Sequence, residues 1–355
     1  MGLASLKCTD FRCIESADLD FAAGNNLVFG PNGSGKTSVL EAIAYLGRGR
    51  SFRGASTRQL IRHGQDEFVL FGRVENDGWD TRIGVRNSAA GLEVHTNGEK
   101  RASTAVLAEG LPLQVIDPDV HKLVAGGPED RRRYVDWIAF HVEHSYLDLW
   151  RRYRRTLKQR NAALRAGATA RALTGWDKEI VDLGSAVDEV RRNMLDITRP
   201  AFLSTGEALL GTAIDFEYYR GWSAGHGLAE ALLAAVQRDQ QAGASQVGPH
   251  RADIRLKLDD RQARKLVSRG QQKLLACAMI LAATEVVQTC LERPLLLLLD
   301  DPAAELDQGS LRRLMDAVRR LGSQVIATTL EADKKLFVDK PRLFHVEHGA
   351  VEIVQ

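Results

Sequence analysis

The 355-residue sequence predicts an α/β fold with a mixed sheet, interrupted by an inserted helical arm. Three observations predict it. A glycine-rich loop near the N-terminus lies between an apolar strand and a helix. A continuous apolar strand near the C-terminus ends in a pair of aspartates. Between them runs a long stretch with helical rather than alternating periodicity.

The first observation is the most specific. Gly30, Pro31, Asn32, Gly33, Ser34, Gly35, Lys36 and Thr37 fit G-x-x-x-x-G-K-[ST], the phosphate-binding P-loop. Asn26–Phe29 reads as the strand before it. Ser38–Leu46 reads as the helix after it, with Leu40, Ile43 and Leu46 on one face. The glycines let the backbone wrap a phosphate closely. The helix N-terminus presents free N–H groups to the anion. Lys36 would reach the outer phosphates of ATP, and Thr37 would ligate Mg²⁺.

Composition sets the bounds. The length allows two domains with sizeable cores. A hydrophobic content of 44% and a charged content of 26% are ordinary for a globular protein. The net charge of +2 announces no nucleic-acid partner, so any basic surface must be local. The cysteines Cys8, Cys13, Cys277 and Cys290 form no C-x-x-C pair, zinc spacing or disulfide framework. Each reads as a small buried hydrophobe in a reducing cytosol. No signal peptide is visible, and Leu6 breaks the myristoylation pattern that Met1-Gly2 suggests. The apolar run Leu295–Leu299 is too short to span a bilayer. A soluble cytoplasmic protein without a membrane partner is therefore expected.

Residues 1–125 read as the N-terminal part of the α/β domain. Glu67–Val74, Thr81–Val85 and Leu113–Ile116 read as strands, and Thr96-Asn97-Gly98 as a hairpin turn. Residues 126–245 read as the helical insertion. Pro128 suits a helix start, and the helical pattern runs to Arg165 with Tyr146, Leu149, Tyr153, Leu157 and Leu164 on one side. A second helical stretch spaces Trp176, Ile180, Leu183, Val187, Val190, Met194 and Ile197 like a short coiled-coil seam, ended by Arg199-Pro200. The two stretches predict an antiparallel hairpin roughly 35–50 Å long at about 1.5 Å per residue. Another helix is expected near Leu228–Gln237. Residues 246–355 read as the returning α/β part, with strands Ala252–Leu258, Leu295–Leu299 and Gln324–Thr329 and an apolar helix to about Cys290.

Leu295–Leu299 followed by Asp300-Asp301 has the Walker B pattern. Asp300 would hold Mg²⁺, and Asp301 could orient or deprotonate the attacking water. Asp301-Pro302-Ala303-Ala304-Glu305-Leu306-Asp307 resembles the Walker B and D-loop of ABC-type ATPases. Ser268, Arg269, Gly270 and Gln271, followed by Gln272 and a helix, resemble their signature motif. A serine hydroxyl and a glycine at a helix N-terminus can bind a second anion; they can also be a plain N-cap. The resemblance implies an ABC-type ATPase head that dimerises with ATP, the signature of one subunit closing on the nucleotide of the other. Arg269 stands in place of the second signature glycine, and Asp301 in place of the usual glutamate. Thr328 or Thr329 takes the strand end where many such ATPases have histidine, and Asp117-Pro118-Asp119 stands where a glutamine loop is expected.

These departures, with the short arm, give a close resemblance to the RecF family, related to SMC-type heads. The stretches that carry it are Gly49–Arg53, Leu123–Pro128 with Arg131-Arg132-Arg133, Val247–Asp253, Ser268–Gln272 and Asp300-Asp301. Ala252 departs from the acidic residue more usual there. The resemblance implies ATP and DNA binding, an ATP-dependent homodimer and slow hydrolysis. It also implies work with RecR and RecO in loading RecA on gapped DNA. From Arg151 to Arg171 there are eight basic residues and no acidic one. Arg151, Arg154, Arg155, Lys158 and Arg165 fall on one helical side, a ridge suited to phosphate contact or simply a solvated face. Arg131-Arg132-Arg133 is a second DNA candidate, unless it pairs with carboxylates of its own lobe. The rival readings are an ATPase subunit of a membrane transporter and a small-substrate P-loop kinase.

Overall fold

The computed structural model describes residues 2–76, 79–259, 261–332 and 336–354. They divide into two compact units: Met1–Val120 with Glu292–Gln355, and His121–Leu291.

In the first unit the helix Lys36–Arg48 lies in the core between two sheets. One is mixed, in the order Ala350–Ile353, Arg342–Glu347, Asn25–Phe29, Gln324–Thr329, Leu296–Leu299, Leu113–Ile116. All neighbours in it are parallel except the Ala350–Ile353 edge. The other is antiparallel, in the order Ile14–Asp20, Gly2–Phe11, Glu67–Asn76, Trp79–Ser88, Gly91–Thr96, Glu99–Arg101. Two flanking sheets explain why the helix is buried all round from Val39 to Gly47, and not only on its Leu40–Ile43–Leu46 face. Each such aliphatic side chain contributes about 1.5–3 kcal/mol by leaving water. The turn at Asn97-Gly98 forms as its residues suggest, with φ of 53° and 84°.

The second unit is mainly helical: Pro128–Val142, Tyr146–Arg165, Ala170–Leu210, Leu228–Ala242 and Arg269–Leu291. A small antiparallel sheet joins Arg261–Gln262, Asp253–Leu258 and Ile214–Tyr219. The helices Tyr146–Arg165 and Ala170–Leu210 form the antiparallel pair of the arm, the second about 60 Å long.

Three boundaries differ from the sequence reading. The pattern over 128–165 is broken at Glu143–Ser145, where the Glu143 carboxylate accepts from the Ser145 N–H at 3.1 Å and its hydroxyl at 2.8 Å. Such local bonds compete with helix continuation. The long helix passes through Pro200 to Leu210. An internal proline costs about 3 kcal/mol. Packing offsets it: Phe202 lies 5.5 Å from Phe216, and Gly206 sits so close to Ile214 that a Cβ would overlap it. The division into units also differs. Asp253–Leu258 and Arg269–Leu291 cluster with the arm because Arg269–Leu291 packs along Ala170–Leu210, so the return to the first unit comes at Glu292.

The seven-residue seam drifts too. Ile180, Leu183, Val187 and Met194 are buried, but Ile197 is 45% exposed and Arg191, Leu195 and Thr198 take over. A straight α-helix slips about 20° per heptad, hence about 60° over this stretch.

Among the described residues one helix, Arg269–Leu291, is long and apolar enough to cross a membrane; its Lys273–Thr284 stretch is buried in the second unit as a core helix. All the cysteines are free. Burial pushes the Cys8 and Cys277 thiols up to about 12. Cys13 and Cys290 are exposed, unlike the buried hydrophobes expected. One sits in the turn after Gly2–Phe11, the other at the end of Arg269–Leu291.

Candidate functional site

Three adjacent parallel strands aim their carboxyl ends at one place. Asn25–Phe29 leads into the P-loop, Leu296–Leu299 into Asp300, and Gln324–Thr329 lies between them. The loop itself is held in glycine-only geometry. Gly30 has φ 152° and Gly35 φ 118°. A Cβ on Gly30 would come within 2.2 Å of the Val346 carbonyl oxygen, and one on Gly35 within 2.9 Å of Cys13 Sγ. Gly35 is also the N-cap of the helix that starts at Lys36. The free N–H groups there suit an anion.

Lys36 Nζ donates to the Gly30 and Pro31 carbonyls at 2.8 and 2.9 Å, closing over the loop. Burial lowers its pKa, against the pull of Asp301 and Asp300. Ser34 Oγ is buried and has no hydrogen-bond partner. A phosphate oxygen fits that orphaned donor, because a buried polar atom normally finds one. Thr37 Oγ1 lies 3.0 and 3.1 Å from the two carboxylate oxygens of Asp300. A hydroxyl and one carboxylate, side by side, suit a magnesium ion that keeps its waters and phosphate ligands. Among the described residues no cluster of three or more His, Cys, Asp or Glu forms a metal cage.

Asp300 is nearly buried, and its N–H continues the ladder to the Ile116 carbonyl at 2.8 Å. The chain then turns sharply: Asp301 has φ 47°. Its N–H leaves the ladder and donates to Thr328 Oγ1 at 2.9 Å, while Thr328 Oγ1 donates to Asp300 Oδ1 at 2.8 Å. Asp117, in the expected glutamine-loop position, directly follows the Ile116 that bonds Asp300.

A second buried network supports the loop's helix. The Glu41 carboxylate receives Arg12 Nε at 2.8 Å and Nη2 at 3.0 Å, together with the Ser51 hydroxyl. Ser51 Oγ in turn accepts the N–H groups of Arg53 and Ala55. This fixes the Gly49–Arg53 stretch to the helix core. Sequence reading missed Glu41 and Arg12; a charged residue amid the apolar run Val39–Leu46 was the available signal.

In the second unit Ser268 precedes the helix Arg269–Leu291. Ser268 Oγ accepts the Gln271 N–H at 3.3 Å, and Gln271 Oε1 accepts the Ser268 N–H at 3.0 Å. This reciprocal pair is a capping box. The Ser268 hydroxyl hydrogen stays available for an anion, so the cap and the signature reading coexist. Ser268, Arg269 and Gln271 are exposed.

The arm ridge is also where the pattern puts it. Arg151, Arg154, Arg155, Lys158 and Arg165 are exposed, as is Arg152. Arg160 is not part of it: it is fully buried and bonds Asp177 at 3.0 Å and Asp239 at 2.7 Å. Of the triple-arginine stretch, Arg131 is buried, pairs with Asp253 at 2.7 Å and donates to three carbonyls. Arg132 donates to the Ala252 carbonyl, and Arg133 pairs with Glu129. Arg131 thus pairs within its own unit. His250, in the Val247–Asp253 stretch, is half-buried beside Tyr153, whose hydroxyl is 2.7 Å from Nδ1. Burial pushes its pKa down to about 4.

The family model of the RecF/RecN/SMC N-terminal domain matches residues 2–351. The DNA replication and repair protein RecF of Yersinia pestis bv. Antiqua (strain Angola) is 40% identical over 357 residues, covering 99% of both chains. RecF of Thioalkalivibrio sulfidiphilus (strain HL-EbGR7) is 40% identical over 360 residues with the same coverage. Among solved structures, the recombination mediator protein RecF-ATPrS of the RecFOR pathway is similar with a TM-score of 0.88 and 25% identity, over 99% of this chain and 98% of that one. A SmcHead bound to the C-winged helix domain of ScpA shares the fold, with a TM-score of 0.63 at 17% identity over 100% of this chain and 97% of that one.

Proposed function

This chain belongs to the RecF family of DNA replication and repair proteins, ABC-type ATPases related to SMC heads, and from that premise we propose an ATP-gated DNA-binding dimer. One observation carries the proposal. The P-loop, Thr37 and Asp300 assemble a single phosphate and cation cradle in the first unit, and the chain has a single capped Ser268 motif in the second. One chain therefore supplies one half of each of two composite sites, and two copies complete both.

In this reading Gly30 to Thr37 wrap the phosphates of ATP, and Lys36 and the helix N-terminus neutralise them. Thr37 and Asp300 would hold Mg²⁺, which when bound offsets charge on the phosphates. Asp301 orients or deprotonates the attacking water. Ser268, Arg269, Gly270 and Gln271 contact the nucleotide of the second copy. Slow hydrolysis then releases the dimer. The exposed arginines and lysine of the arm ridge touch the DNA backbone. Gapped DNA, with single- and double-stranded parts, is the proposed substrate, RecR the contacting partner, and RecO and RecA the functional ones. The proposed location is the cytoplasm. Residues 1–125, 126–245 and 246–355 remain useful as the motif-bearing segments: P-loop, arm, and signature with Walker B.

The test is binding of labelled gapped DNA by fluorescence anisotropy at fixed salt, with and without ATP and Mg²⁺. Tight binding is expected only with ATP and Mg²⁺ present, and it is expected to vanish in Lys36→Ala. That substitution removes one or two charge-assisted hydrogen bonds of about 1.5–3 kcal/mol each, so ATP affinity should fall about a hundredfold. ATP-independent DNA binding, or normal ATP-driven dimerisation by Lys36→Ala, would overturn the gating.

A further inference from the structure

Asp300 and Asp301 are adjacent in sequence but are not held by the same kind of contact, and a single side chain links them. Thr328 is 1% exposed, at the end of the strand that runs between the P-loop strand and the Walker B strand. Ala327 pairs with Leu299 in the parallel register, so the next residue on each strand, Thr328 and Asp300, face each other where the ladder ends. The hydrogen-bond directions there are fixed by chemistry. A backbone N–H only donates, so Thr328 Oγ1 must accept from Asp301. Its one hydrogen is then committed to Asp300 Oδ1.

We propose that Thr328 is a positioning residue for ATP hydrolysis, one hydroxyl setting both the cation-holding carboxylate and the carboxylate that faces water. Asp300 Oδ1 is held from two sides, by Thr328 and by Thr37. The Asp300 carboxylate is thereby kept beside the P-loop hydroxyl rather than free to rotate. The bond to the Asp301 N–H holds the chain in the left-handed turn at Asp301. Non-glycine residues enter that region reluctantly, aspartate among the more tolerant, and only where the surroundings enforce it. Thr328 supplies the enforcing contact. Sequence position alone left Thr328 and Thr329 equivalent; the geometry separates them, since Thr329 Oγ1 bonds the Glu331 carbonyl instead.

The proposal rests on the nucleotide-site reading above, and the test keeps the two apart. Thr328→Val removes the hydroxyl and keeps the β-branched shape; Thr328→Ser keeps the hydroxyl. The first measurement is the Mg²⁺ midpoint for binding of a fluorescent ATP analogue. Loss of such a supporting contact weakens metal affinity about 10–100-fold, so the midpoint for Thr328→Val should rise at least about tenfold. Analogue binding without Mg²⁺ should be unchanged. The second measurement is steady-state hydrolysis: kcat should fall by a similar factor, with KM for ATP little changed at saturating Mg²⁺. Thr328→Ser should restore both. Should Thr328→Val not fold, Thr328→Ala is put through the same titrations. A wild-type Mg²⁺ midpoint and kcat in the hydroxyl-free variant would overturn the role of Thr328 alone. So would a serine variant as impaired as the valine one. If the wild-type chain showed no Mg²⁺-dependent nucleotide binding, the nucleotide site itself would fall, and the role of Thr328 with it.

Discussion

The helical core of the second unit and the nucleotide site of the first use buried charge to opposite ends. In the second unit each buried arginine is closed off by a carboxylate. Arg160 meets Asp177 and Asp239, Arg191 meets Asp136 and lies over the Trp150 ring, and Arg131 meets Asp253. In the first unit Glu41 is closed in the same way by Arg12, but at the nucleotide site the buried Asp300 side chain meets hydroxyls only, and Ser34 Oγ meets nothing. No ion pair to Asp300 forms among the described residues. Arginine forks fix the geometry of long helices and leave little for a ligand. Hydroxyls orient a carboxylate without neutralising it, so its charge stays available to a cation. The difference separates a scaffold from a site more clearly than burial does.

The most severe way to break this comparison is to open one of the closed pairs. Arg160→Met leaves Asp239, which is 0% exposed, without its cation. An uncompensated buried charge costs about 3–5 kcal/mol. Denaturant unfolding followed by tryptophan emission reads the right unit. Trp137, Trp150, Trp176 and Trp222 all lie in it, and only Trp79 lies in the other. ATP affinity should be unchanged where the variant is folded, and Arg160→Met with Asp239→Leu should recover most of the loss. Full stability in Arg160→Met alone would mean the pair is not what holds the arm.

The same contrast explains what could be read without coordinates. The P-loop and Walker B are local: the residues that define each motif are neighbours in sequence, and glycine spacing reports backbone geometry directly. Their junction is not local. Thr328 and Asp300 are 28 residues apart, and only the strand register brings them together. Arg160 and Asp239 are 79 apart, so Arg160 read as one more member of a basic run. Pro200 and the Glu143–Ser145 break were misjudged for a related reason. At Pro200, packing against Phe216 and Ile214 outweighed a local penalty. At Glu143, a side-chain turn outweighed helical periodicity. Glu41 reads as a solvated helix residue until Arg12 and Ser51 are seen around it.

A smaller effect sharpens the open side of the comparison. Asp301→Asn keeps size and backbone preference while removing the charge and the proton acceptor. If Asp301 handles the attacking water, kcat should fall about a hundredfold, the lower end of what general-base groups supply. ATP should still bind, because Lys36, Thr37 and Asp300 are intact. The dimer should therefore persist with ATP and be seen as a long-lived species by light scattering. Unchanged turnover would remove Asp301 from the chemistry and leave its left-handed turn as the only notable fact about it.

The smallest expected effect concerns charge that is neither closed nor buried. Arg154 and Arg155 are exposed on the arm ridge, and no ion pair to either forms among the described residues. A solvated face and a phosphate-contacting face look alike in geometry but differ in salt response. Each phosphate neutralised on duplex DNA adds about 0.9 to the slope of log affinity against log salt. Arg154→Glu with Arg155→Glu should thus weaken gapped-DNA binding at low salt and flatten that slope by about 1.8, if each arginine meets one phosphate. The stability and ATP affinity of the chain should not move, since neither arginine holds any packed element. An unchanged slope would assign the ridge to solvation, and DNA would then have to meet the protein elsewhere. Arg131 would be a poor substitute, because its guanidinium is already spent on Asp253 and on the carbonyls of Leu123, Val124 and Gly126.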